Sequence, residues 1–306
     1  METKDSLSPI IRHDSLQLKA PAKINWFLSV LGKREDGYHN ILSLMQCVSI
    51  YDNLMFEQAD TLEVASDLDI PIGNNLVYKA ASLLKQYTSC KKGAKIALYK
   101  NIPVSAGLGG GSSDAAYTLS GLNRLWGLGL SNRELSTIGL VIGSDVPFFL
   151  NGSCALIEGR GEKVVPLRLD NSAIVLILIK PDISVSTAWA YTHFDKAFSP
   201  SSGRGFYPGK LTKKPVDIKL FCQAFKNRDF ASLKVSPNND LEKVVIGRYP
   251  VVGDIKERLL ENGAIISSMT GSGPTVFGVF ESKETALAAV NKMDSHNWCR
   301  IAETIV

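Results

Sequence analysis

Pro103-Val104-Ser105-Ala106-Gly107-Leu108-Gly109-Gly110-Gly111-Ser112-Ser113-Asp114 lies between a short apolar segment, Ala94 to Tyr99, and a stretch whose Ala115, Leu119, Leu122 and Trp126 share one helical stripe. The order is strand, glycine loop, helix. Glycines let a backbone approach an anion closely and turn its N–H groups inward, and a helix start adds uncapped donors at the positive end of its dipole. A polyphosphate suits such a loop. A plain connection with Ser112 or Ser113 as helix cap would also read this way, but four glycines among residues 107–111 are more than a cap requires. Two familiar phosphate loops are excluded. No lysine follows the glycines as GxxxxGK[ST] demands, and Ser112 stands where GxGxxG needs its last glycine. The acidic residue that a dinucleotide fold places about 20 positions on is also missing, since Asn132-Arg133-Glu134 opens a helix instead.

Upstream, residues 22–30 alternate, with Ala22, Ile24, Trp26, Leu28 and Val30 on one side and Lys23, Asn25, Phe27 and Ser29 on the other. This predicts a strand that presents Lys23 and Asn25 together. A polar turn, Gly32 to Gly37, then leads to an apolar run, Ile41 to Ile50, making a hairpin tipped by Asp36-Gly37-Tyr38-His39. Asn75 to Tyr87 carries Leu76, Ala80, Leu83 and Leu84 at helical spacing. Downstream, Leu135 to Ile142 predicts a helix ending in the turn Gly143-Ser144-Asp145-Val146-Pro147, and Ala173 to Ile179 a buried strand. Phe198 to Val216 holds three prolines and three glycines and reads as an exposed excursion. A helix at Asp254 to Glu261, a strand at Thr275 to Phe280 and a helix at Lys283 to Met293 give an α+β second half.

Within this frame a few residues stand out chemically. Lys23 sits among small and apolar neighbours, where an ammonium is costly unless it faces a site, although many strand lysines are edge residues in water. Asp145, taken alone, reads more readily as a turn or cap aspartate than as a catalytic base. Tyr38 and His39 offer an aromatic face and an imidazole suited to a heterocyclic base, or form an ordinary hairpin tip. Met269-Thr270-Gly271-Ser272-Gly273-Pro274-Thr275 is a small-residue turn that either packs on the glycine loop or only joins two elements.

Composition narrows the classes. The five cysteines are scattered without CxxC, and the four histidines without HExxH, so neither a disulfide framework nor a dedicated protein metal site is expected. No segment has the length of a membrane span and residues 1–20 lack a leader's apolar core, so a soluble cytoplasmic protein is the expectation. A net charge of +4 suits anionic small molecules; the basic residues are too dispersed for a nucleic-acid face.

Taken in order, Pro21-Ala22-Lys23-Ile24-Asn25, Pro103 to Ser113, and Gly271-Ser272-Gly273-Pro274 resemble the three motifs of the GHMP kinases. The resemblance implies a two-domain α+β GHMP kinase fold: an N-terminal ribosomal protein S5 domain 2-like domain over 1–168 and a C-terminal ferredoxin-like domain over 169–306. It implies that Pro103, Val104, Ser105, Ala106, Gly107, Leu108, Gly109, Gly110, Gly111, Ser112 and Ser113 wrap the phosphates of ATP, and that Mg2+ arrives with ATP, no protein ligand being assigned. It makes Asp145 the base that takes the acceptor hydroxyl's proton and Lys23 the cation that keeps it anionic, a sound arrangement because a carboxylate beside an ammonium stays ionised. With Asp36-Gly37-Tyr38-His39 and Asp145-Val146-Pro147-Phe148-Phe149 added, the resemblance narrows to members whose acceptor is a cytidine-diphosphate-linked methylerythritol, phosphorylated at its C2 hydroxyl. There Asn25 would hold the acceptor hydroxyl, and Tyr38 and His39 would read cytosine with Tyr191 opposite. Homoserine and mevalonate kinase types are the alternative, and these acceptors carry no base. Ser144 replaces a customary alanine, and Trp189 is bulky enough to bear on the shape of the cytidine pocket.

Overall fold

The alternation around Lys23 extends into a long strand, β1 (Leu16–Lys33), which pairs antiparallel with β2 (His39–Ala59) across the expected tip. The chain is described by a computed structural model covering residues 15–68, 71–168, 173–198, 218–227, 229 and 238–306. Register shifts interrupt the β1–β2 ladder at Pro21/Ala22, Asn25/Phe27 and Val30/Gly32. The second bulge breaks the alternation that the sequence predicts. An extra residue in one strand resets the side-chain parity, so Trp26 and Phe27 both join one buried cluster.

On its other edge β2 carries β4 (Gly93–Tyr99) along Asn53–Ala59 and β5 (Cys154–Gly159) along Ile41–Gln46. β3 (Leu62–Ser66) and β6 (Lys163–Pro166) complete the first sheet, in order β3-β4-β2-β5-β6 with β1 on β2. Helices α1 (Leu76–Thr88), α2 (Gly110–Trp126), α3 (Asn132–Ile142) and α4 (Val146–Leu150) cover it over a core that includes Phe56, Leu84, Leu119 and Trp126. Asn75 caps α1 with its side chain, and Ser131 with Glu134 forms a capping box on α3. Where the sequence predicts a turn ending at Pro147, a short helix begins, because proline is well tolerated in a first helical turn.

The second sheet runs β10-β7-β9-β8, all antiparallel: β7 (Val175–Lys180), β8 (Ile266–Met269), β9 (Val276–Phe280) and β10 (Trp298–Glu303). Between β7 and β8 lie α5 (Thr187–Phe198), α6 (Ile218–Lys226), α7 (Glu242–Arg248) and α8 (Val251–Glu261), and between β9 and β10 lies α9 (Lys283–Val290). Numbered by appearance the strands are ordered 4-1-3-2, the ferredoxin-like βαββαβ arrangement. Past its first residue, the excursion expected at 198–216 falls outside the described residues. A cluster holding Trp26, Phe27, Leu176 and Phe277 joins the inner faces of the two sheets, with Trp26 meeting Phe277 edge-on at 5.7 Å. Among the described residues no helix is long and apolar enough to cross a membrane.

Candidate active site

A cleft of about 1090 Å³ opens between the sheets, and most of the residues singled out in the sequence line it: Lys23, Asn25, Tyr38, His39, Asp145, Tyr191 and much of the glycine loop. Leu108 and Ser113 do not. Leu108 turns its side chain into the core while its carbonyl accepts the Lys23 backbone N–H at 2.9 Å. Ser113 is fully buried, and its N–H is committed to the carbonyl of Gly109 at 2.9 Å. Helix α2 starts after Gly109 without a side-chain cap, so neither serine plays the capping role. The N–H groups of Gly110, Gly111 and Ser112 head the helix with no intrahelical acceptor, which is how a helix start receives an anion.

Close packing explains the glycines. At Gly107, with φ +76°, a Cβ would stand 2.3 Å from the carbonyl oxygen of Thr270. At Gly271, with φ +58°, it would stand 2.8 Å from the Gly107 carbonyl oxygen and 3.1 Å from Lys23 Nζ. The 269–275 turn is therefore packed on the glycine loop, and the Thr275 N–H donates to the Ala106 carbonyl at 3.3 Å. Asn239 pins that turn from below, donating through Nδ2 to the carbonyls of Met269 (2.9 Å) and Gly271 (2.7 Å). Sequence reasoning passed over Asn239, which belongs to no motif.

Lys23 is 3% exposed, held between Gly109 and the 271 turn. Its ammonium donates to Asn25 Oδ1 at 2.5 Å and pairs with Asp145 Oδ2 at 3.7 Å. Burial lowers its pKa from the ordinary lysine value, with the Asp145 charge pulling the other way. Asp145 occupies the N-cap position of α4 yet makes no capping hydrogen bond, so its carboxylate is left for Lys23 and the cleft. Asn25 is further fixed on two sides: Nδ2 donates to Ser43 Oγ (2.7 Å), whose own hydroxyl donates to the Phe27 carbonyl (2.5 Å), and the Asn25 backbone N–H donates to Thr270 Oγ1 (2.9 Å).

The far end of the cleft is aromatic. The His39 ring stacks on Tyr191 at 4.8 Å and 23°, and its Nε2 bonds Asp195 Oδ1 at 2.7 Å, while Lys33 donates to Asp195 Oδ2 at 2.9 Å. Burial first, then Asp145 and Asp240, push the Tyr191 phenol upward. Tyr38, half exposed, carries the Arg160 guanidinium 5.0 Å from its ring centre. With His39 directly on Tyr191, a planar base has no room between those two rings. Asp195 and Arg160 also line the cleft, and neither carries a motif that sequence reasoning could have used. Trp189 stacks on His193 at 4.3 Å and leans on Tyr249, away from the cleft, so it does not shape the pocket. Among the described residues no three His, Cys, Asp or Glu side chains converge as a metal site.

The fold is that of the GHMP kinases. Residues 75–153 match the model for the GHMP kinases N terminal domain, and residues 222–298 that for the GHMP kinases C terminal. Within them, the chain belongs to the 4-diphosphocytidyl-2-C-methyl-D-erythritol kinase family. It is 44% identical to the protein of that name from Thermodesulfovibrio yellowstonii over 95% of this chain and 98% of that one, and 42% identical to that from Geobacter metallireducens over 94% and 98%. A crystal structure of 4-(cytidine 5'-diphospho)-2C-methyl-D-erythritol kinase superposes with a TM-score of 0.79 at 29% identity, covering 94% of this chain and 99% of the other. A homoserine kinase from Cytophaga hutchinsonii, at 18% identity and a TM-score of 0.69 over 98% of both chains, shares the fold.

Proposed function

We propose that the chain transfers the γ-phosphoryl group of ATP to the C2 hydroxyl of 4-(cytidine 5'-diphospho)-2-C-methyl-D-erythritol, giving ADP and the 2-phosphate, a step toward isoprenoid precursors by the methylerythritol phosphate route. The observation that carries this is the buried Lys23 held between Asn25 and Asp145, beside a glycine loop whose helix start is uncapped. The Asp145 carboxylate receives the hydroxyl proton. Lys23 holds that carboxylate in place and offsets charge as the acceptor oxygen becomes nucleophilic, and Asn25, rigidly tied to Ser43 and Thr270, orients the hydroxyl. Positioning and charge stabilisation of this kind supply most of phosphoryl-transfer catalysis.

Residues 103–113 bind the polyphosphate mainly through backbone N–H groups, Leu108 and Ser113 serving from behind the loop. The cation comes with the nucleotide as MgATP. Tyr38, His39 and Tyr191 bind cytosine. With His39 occupying one face of Tyr191, Tyr38 offers for stacking the ring face that Arg160 does not cover, and Nδ1 of His39, whose Nε2 is held by Asp195, is left for hydrogen bonding. Residues 1–168 then supply phosphate binding and the base, and residues 169–306 complete the acceptor pocket. A homoserine or mevalonate kinase has no use for that aromatic end.

A coupled assay of ADP release, run with the cytidylyl acceptor against mevalonate, homoserine and galactose, tests the assignment; turnover confined to one of the last three overturns it. Asp145→Asn and Lys23→Ala are each expected to lower kcat by roughly two orders of magnitude or more without unfolding the chain. Near-normal rates in both variants would remove the mechanism.

A further inference from the structure

Lys100 follows β4 and Asp114 lies in the second turn of α2, so the two residues bracket the glycine loop. Their side chains meet: Lys100 Nζ donates to Asp114 Oδ2 at 2.7 Å and also to Asp52 Oδ2. The other oxygen of Asp52 accepts the backbone N–H groups of Asn101 (2.6 Å) and Ile102 (2.8 Å), where the loop leaves the sheet. The three side chains are 5%, 0% and 4% exposed. Gly110 belongs to the same arrangement, since a Cβ there would stand 2.9 Å from Ile102 Cγ2 and 3.2 Å from Lys100 Nζ.

We infer that Lys100, Asp52 and Asp114 form a buried clamp that positions the glycine loop for nucleotide binding, Lys100 acting as an internal strut and not as a ligand of phosphate. This rests on the kinase reading above. A lysine beside a phosphate loop is ordinarily taken for a phosphate ligand. Here two of its three donors are spent on the buried side chains of Asp52 and Asp114. Drawing the ammonium toward phosphate would leave two buried carboxylates without their cation, an unfavourable exchange. Asp114 Oδ1 is already buried without a hydrogen-bond partner, so the carboxylate depends on Lys100 for its compensation. Lys100 is thus a positioning residue, holding together the two ends of the loop whose N–H groups would meet the nucleotide.

The test is a titration of the full chain with the β,γ-imido analogue of ATP and Mg2+, which needs no acceptor, followed by steady-state kinetics. Asp114→Asn keeps the shape, removes the charge and releases the ammonium; it is expected to weaken the nucleotide about tenfold, with the KM of the acceptor within about twofold of wild type. Lys100→Met is expected to weaken it similarly. Asp114→Glu, which retains the ion pair, is expected to stay within about threefold and serves where either variant fails to fold; a tenfold loss there counts against the clamp. If Lys100 binds phosphate directly, Asp114→Asn leaves affinity unchanged or improves it while Lys100→Met alone weakens it, which overturns the proposal. A lower melting temperature with unchanged nucleotide affinity in both variants overturns it too. Failure of the wild-type chain to bind the analogue would instead strike the kinase reading itself.

Discussion

At Gly107 the conformational and the steric arguments for glycine can be separated by comparison with Gly129, because both have positive φ, +76° and +70°, and only Gly107 has a neighbour within reach of a Cβ. Gly129→Ala is expected to cost about 1 kcal/mol, the left-handed penalty alone. Gly107→Ala adds a collision with the Thr270 carbonyl and is expected to cost about 3 kcal/mol and to weaken nucleotide binding, as thermal unfolding and ATP KM would show. Asp114 has a consequence for pH. Burial first, and the Asp52 charge next, raise its pKa to about 7 against the pull of Lys100. The folded state therefore binds a proton that the unfolded chain releases near pH 4, so this group makes stability fall as pH rises from about 4 to about 7. Measured against pH, the unfolding free energy of Asp114→Asn should lack that decline, and identical wild-type and variant slopes would contradict it. The sequence marks Gly107 through its motif, but gives no sign that Asp114 shares a lysine with Asp52, because burial of charge is a property of neighbours.

Helix α5 sets Tyr191 and Asp195 one turn apart, so a single imidazole from the β1–β2 hairpin receives a ring on its face and a carboxylate at its edge. A carboxylate accepts only, so Nε2 of His39 carries the proton in this arrangement. Asp195→Ala is expected to raise the KM of the cytidylyl acceptor about tenfold, with ATP KM unchanged, the loss of one charge-assisted hydrogen bond. An equal effect on both substrates would argue against this element's role. Periodicity did not identify α5 as a helix. It buries only Ala190 and Phe194, and Trp189 faces His193 and Tyr249, so the apolar residues fall on more than one side. β3 escaped for a related reason: five residues of alternating half-buried and exposed positions carry little hydrophobic signal. The glycine loop and α2, with a well-buried stripe between them and the first sheet, were legible because pattern and packing agree.

At the scale of the molecule, the two sheets share the cluster around Trp26, Phe27, Leu176 and Phe277. Scanning calorimetry is expected to show one transition, because neither sheet can lose its partner without exposing that cluster. Trp26→Ala, which removes a fully buried ring, is expected to lower stability by about 3–5 kcal/mol within a single transition; two resolved transitions in the wild-type chain would show that the halves unfold separately. The C-terminal residues join the same union, with Gln46 Nε2 donating to the Ile305 carbonyl at 2.7 Å and the Ile305 N–H to the Cys47 carbonyl at 2.9 Å. They tie the end of the second half to β2 of the first.

The sequence by itself determined the glycine loop between strand and helix, the strand that carries Lys23 with Asn25, and the family, because each is written in contiguous residues whose spacing is their geometry. Only the tertiary structure decided that Lys23 meets Asp145 at 3.7 Å, that the 271 turn lies on Gly107, and that Asp195 and Lys100 hold His39 and the loop in place. Those contacts join segments far apart in the chain. Their existence depends on where two sheets and their bulges bring side chains together, which local periodicity does not encode.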